Sequence, residues 1–90
     1  MEYEILQEND ISYAKTKRYV YYVVPKPNPT DKELISIFNE LDKKLKKPFK
    51  RGHDEVTVFF FKDKSDFGKM FNLAKLERTK KRGRIIIERR

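Results

Sequence analysis

Pro25, Pro27 and Pro29 fall within five residues and separate two segments of incompatible periodicity. On their N-terminal side the run KRYVYYVV sets Tyr19, Tyr21 and Val23 on one face and Val20, Tyr22 and Val24 on the other, the pattern of a strand with apolar residues on both sides. The prolines stop it, because they donate nothing to a ladder and favour an extended connector. On their C-terminal side Thr30-Asp31-Lys32-Glu33 is a capping box, in which the threonine oxygen takes the third helical amide and the glutamate reaches back to the cap amide. Leu34, Ile37, Phe38, Leu41 and Leu45 then recur on one helical face, and Lys43, Lys44, Lys46 and Lys47 fill the last turn before Pro48. The chain is therefore committed early to a strand over about 17–24, a stiff linker and a helix over about 31–47.

Elsewhere the signals are shorter. EVTVFFFK carries Val56, Val58 and Phe60 on one side and Thr57, Phe59 and Phe61 on the other, which predicts a central strand over about 55–62. Tyr3 and Ile5 alternate with Glu2 and Glu4, making 2–7 a candidate edge strand with Asn9-Asp10 as its turn. Two arrangements fit the region after the polar connection 62–66. Phe67, Met70, Phe71 and Ala74 share a helical face, which would give a second helix over 66–80, closed by Gly83 and followed by a lone strand RIIIE. Gly68 and Asn72 oppose that helix. The other arrangement is a terminal hairpin of strands at about 70–78 and 84–89, with Gly83 taking a positive φ in the turn.

Tyr3-Glu4-Ile5, Asp10-Ile11-Ser12-Tyr13, Lys17-Arg18 before a strand, Phe59-Phe60-Phe61, Asp66 with Gly68, and Phe71, Leu73 and Ala74 follow one another along the chain. In this order they resemble a small, functionally uncharacterised family of bacterial and mobile-element proteins. The resemblance implies a strand from about Met70 to Glu77 and brings no activity, ligand or catalytic residue with it. The tail departs from the pattern in being far more basic. The expected fold is thus α+β: one single domain over 1–90, with one long helix packed on a small antiparallel or mixed sheet.

The 90 residues carry 22 Lys and Arg against 14 Asp and Glu, a formal charge of +8, which favours polyanions or acidic surfaces as partners. The cations are segregated along the chain. Glu2, Glu4, Glu8 and Asp10 make the first ten residues acidic, whereas Lys43 to Arg51 and Arg78 to Arg90 are strongly basic. RTKKRGR alone places Arg78, Lys80, Lys81, Arg82 and Arg84 in seven residues. Lys17, Arg18, Lys43, Lys46, Lys47, Lys50, Arg51, Arg78, Lys80, Lys81, Arg82 and Arg84 are accordingly the candidate phosphate contacts, to DNA or RNA, provided the fold brings their blocks together. The competing reading gives these cations to helix-end and edge-strand protection, and the edges to pairing with itself or another protein.

Enzyme chemistry has little to work with. There is one histidine and no cysteine, so no disulfide, thiolate metal site or cysteine nucleophile is expected, and a reducing, cytoplasmic location is the corresponding expectation. His53-Asp54-Glu55 offers at most a histidine with one carboxylate orienter. Gly52, Gly68 and Gly83 match neither phosphate-loop spacing. Arg51-Gly52 is followed by His53, Asp54 and Glu55 where an RNA-recognition strand needs aromatics. No cofactor, metal, signal segment or membrane span is expected.

Overall fold

The computed structural model describes residues 3–11, 17–49, 55–68, 72–79 and 83–90, and for residues 45–49 the backbone alone. The elements are β1 (Tyr3–Asp10), β2 (Arg18–Pro25), α1 (Asp31–Phe49), β3 (Glu55–Phe60), a single 3-10 turn (Lys64–Asp66), β4 (Ala74–Thr79) and β5 (Ile85–Arg89). The strands form one mixed sheet in chain order, β1-β2-β3-β4-β5. Among the described strands only β2 and β3 are parallel, aligned Arg18 with Glu55 through Val23 with Phe60. Parallel neighbours need a long crossover, and α1 supplies it.

The capping box forms as the sequence requires. Thr30 N–H donates to Glu33 Oε1 at 3.1 Å and Glu33 N–H donates to Thr30 Oγ1 at 3.2 Å. From there Leu34, Ile37, Phe38 and Leu41 are fully buried against Tyr21 and Val23 of β2, Val56, Val58 and Phe60 of β3, and Ala74 and Leu76 of β4. Each such side chain contributes about 1.5–3 kcal/mol by leaving water. Tyr3, Ile5, Tyr19, Ile85 and Ile87 pack around this cluster, so all five strands share the face that α1 covers. The helix ends at Phe49, two residues beyond the expected limit and past Pro48, within the usual latitude of a helix terminus.

Two expectations are corrected in detail. Asn9 and Asp10 do not turn: they pair with Val20 and Tyr19, because a registered neighbour outweighs the weak local preference of these residues for turns. The register of β1 shifts between Ile5 and Gln7, so a bulge at Leu6 exchanges the faces of the strand's two halves. The terminal hairpin forms, replacing the alternative helix over 66–80, yet its first strand starts at Ala74 rather than near Met70. Asn72 explains part of that delay. Its Oδ1 accepts from Lys62 N–H at 2.9 Å and its Nδ2 donates to Asp66 Oδ2 at 2.7 Å, which closes the loop after β3 before the ladder resumes. Among the described residues no helix is long and apolar enough to cross a membrane.

Candidate nucleic-acid interface

The topology settles which chain segments meet. Because β2 and β3 are parallel and β4 and β5 form a hairpin, Arg18, Glu55, Thr79 and the residue before β5, Arg84, lie in a row at one end of the sheet. Arg18 and Arg84 are three strand spacings apart, roughly 14 Å. The same end receives the later part of α1, where Asp42 meets Arg78 of β4, and Lys43 follows Asp42 on the exposed side. Described residues bordering segments 12–16, 50–54 and 80–82 gather here too, namely Ile11, Lys17, Glu55, Thr79 and Gly83. Lys46 and Lys47 lie on the helix backbone without described side chains, and Lys50, Arg51, Lys80, Lys81 and Arg82 lie outside the described residues, as do His53 and Asp54.

The nominated cations do not play one role. Arg78 turns inward: Leu76 and Arg78 share a face of β4, and its Nη2 donates to Asp42 Oδ1 at 2.8 Å. Its Nε is buried with no hydrogen-bond partner among the described residues. Arg18 stands 2.7 Å from Glu55 Oε2, while the carbonyl of Lys17 accepts the Glu55 N–H at 3.0 Å. Lys43 and Arg84 are exposed, and among the described residues neither has a carboxylate at ion-pair distance. Lys44 belongs to another surface, with its Nζ 6.0 Å from the centre of the Tyr3 ring. At the opposite end of the sheet Lys26 pairs with Glu33, Lys64 with Glu4 at 3.7 Å, and Arg89 with Asp31 at 3.0 Å.

The sheet's second face has no helix over it among the described residues. Tyr22 and Phe59, registered partners on β2 and β3, stack with ring centres 5.5 Å apart. Phe67, reached through the 3-10 turn, meets Tyr22 edge-on at 5.3 Å and Phe61 at 6.1 Å. Beside them runs a groove of about 290 Å³ bordered by Ile11, Arg18, Thr57, Glu55 and Phe59. Its charges are mixed, since Arg18 faces Glu55 and Lys75 lies 4.0 Å from Glu77. This face can stack planar groups, whereas the exposed Lys43 and Arg84 lie at the sheet end. The alternation of aromatics in both strands was visible in the sequence; their adjacency depends on the parallel register and was not.

On the covered face a row of tyrosines is tied to carboxylates. Tyr19 Oη donates to Glu8 Oε1 at 2.6 Å and Tyr3 Oη to Glu40 Oε1 at 3.0 Å. The bulge at Leu6 is what turns Glu8 toward Tyr19. Burial, then these carboxylates, push the Tyr3 phenol up to about 12 and raise Tyr19 as well; burial does the same to Tyr21, to about 12. These groups are neutral hydrogen-bond donors and no base is created by them. Glu55, from the histidine cluster, starts β3, while Asp63 and Asp66 follow its far end, so these carboxylates do not converge. Among the described residues no cluster of three or more His, Cys, Asp or Glu could hold a metal ion. No protein-family model, curated protein or solved structure matches the chain.

Proposed function

We propose that this chain is a small basic domain, without a catalytic role, that binds nucleic acid through phosphate contacts. The observation that carries the reading is the convergence of separate basic segments, led by Lys17-Arg18, Lys43 and Arg84, on the end of the sheet where β2 and β3 begin. Backbone phosphates are drawn to such an end by counterion release rather than by base reading. Tyr22 and Phe59, on the face that no described helix covers, line the same groove as Arg18 and supply stacking area to unpaired bases, so single strands gain a contact that duplexes lack. The absence of a catalytic role rests on the sequence inventory, with one histidine and no cysteine.

Fluorescence anisotropy with random single- and double-stranded oligonucleotides, titrated with salt, tests this. About five or six phosphate contacts give a log-log slope near −5 on duplex. Absence of binding at low ionic strength would overturn it. A second reading, a protein-interaction or homo-oligomerisation module with no nucleic-acid role, is favoured by one observation: among the described residues β5 pairs with β4 alone and ends the sheet.

A further inference from the structure

The two edges of the sheet differ. β1 is guarded by its bulge at Leu6 and by Glu4, Glu8 and Asp10, the usual devices against edge pairing. β5 has neither bulge nor proline and runs Ile85-Ile86-Ile87, flanked by Arg84 and Glu88. Its ladder to β4 is regular, from Ala74 with Arg89 to Arg78 with Ile85. Arg90 N–H donates to Leu73 O at 3.1 Å. Residues bonded to a neighbour alternate along an antiparallel strand, so Arg84, Ile86 and Glu88 spend their backbone groups on β4. Ile85, Ile87 and Arg89 turn theirs outward.

From this parity we propose that β5 pairs antiparallel with β5 of a second copy of the chain, about a two-fold axis through Ile86. In this register Ile85 of each copy exchanges ladder bonds with Ile87 of the other, and Ile86 meets Ile86 as the closely spaced, non-hydrogen-bonded pair. Arg84 then stands opposite Glu88 of the other copy. The neighbouring registers that keep the outward groups paired lose this match: centring on Ile87 sets Arg84 against Arg90, and centring on Ile85 leaves Arg84 facing Ile86. The sequence Arg-Ile-Ile-Ile-Glu is thus complementary to its own reverse, as an isologous interface requires. The axis stands perpendicular to the joined sheet. Both helices then lie on one side of it, and Ile86, whose neighbours Ile85 and Ile87 pack toward the core, lies on the other. A single five-residue edge makes a small interface, so the association is weak and concentration-dependent.

The absence of cysteine makes the register directly readable. Ile85→Cys, Ile86→Cys and Ile87→Cys are oxidised in parallel without nucleic acid, and sedimentation of the unmodified chain is followed over a concentration series. The expected result is a reversible dimer for the unmodified chain, with a disulfide-linked dimer from Ile86→Cys alone, since only that pair brings the side chains within bonding range. Arg84→Glu and Glu88→Arg each weaken association about tenfold, through two like-charge pairs, and the double exchange restores it. Both positions are exposed, so folding is retained. A monomer throughout the series overturns the proposal, as does equal or preferential crosslinking at Ile85 or Ile87, or failure of the double exchange to recover.

Discussion

Arg78 Nη2 reaches Asp42 Oδ1 at 2.8 Å across the seam between β4 and α1, with the Asp42 side chain 9% and the Arg78 side chain 19% exposed. Asp42→Ala therefore leaves a guanidinium nearly enclosed and without its counterion. The expected loss is about 2–3 kcal/mol, somewhat below the range for a fully buried pair. Asp42→Leu combined with Arg78→Met recovers most of it, because apolar groups of similar size suit the same space. Urea unfolding of the single and double variants checks this, and additive losses would show that the two residues are not coupled.

The proposed phosphate contacts are expected to separate from that structural role. Lys43→Glu and Arg84→Glu are each expected to flatten the salt dependence of duplex binding by about one phosphate contact. Arg78→Met, measured where it remains folded, leaves the slope unchanged. The three salt titrations together distinguish a cation that faces the ligand from one that holds the helix.

Helix α1 depends on its first turn. Thr30→Ala is expected to lower stability by about 1 kcal/mol, read from the urea midpoint.

Glu33 makes the same turn sensitive to acid. The Lys26 ammonium beside it, followed by the Thr30 backbone N–H, holds the Glu33 carboxyl below its ordinary range. A depressed folded-state value means that the stabilisation is present above the unfolded value of about 4.3 and is lost as pH falls through the folded one. The midpoint difference between the wild type and Glu33→Gln should accordingly shrink on acidification.

The tyrosines respond at the other extreme. Tyr3 and Tyr21 are pushed up to about 12, so their neutral forms stabilise the fold fully below the unfolded value of about 10 and progressively less above it. Phenolate absorbance against pH should rise near the ordinary value in urea and later in the folded chain, together with loss of circular dichroism. Superimposable curves in the two conditions would remove the claimed shift.

Local signals were readable in advance and pairings were not. The proline linker, the Thr30–Glu33 box and the stripe from Leu34 to Leu41 each depend on residues a few positions apart, and all three appear where the sequence puts them. Strand alternation was equally legible for β2 and β3. The parallel register that stacks Tyr22 on Phe59 depends instead on how α1 returns the chain, which no local pattern records. Asn9 and Asp10 look like a turn until Val20 and Tyr19 are known to lie opposite. Arg78 is the instructive case: counting by twos from Ala74 places it on the helix side, yet only the position of Asp42 explains why a cation is tolerated there.

The crossover between β2 and β3 bears also on how fast the chain can find its structure. The antiparallel ladders β1-β2, β3-β4 and β4-β5 join strands with no long helix between them, so each forms by a comparatively short closure. Only β2 and β3 must wait for a loop containing all of α1, whose entropy is lost before its contacts are gained. Truncations that weaken this docking, such as Val23→Ala, Phe38→Leu or Val56→Ala, should slow refolding. Ile85→Val, at a strand added locally, should instead hasten unfolding.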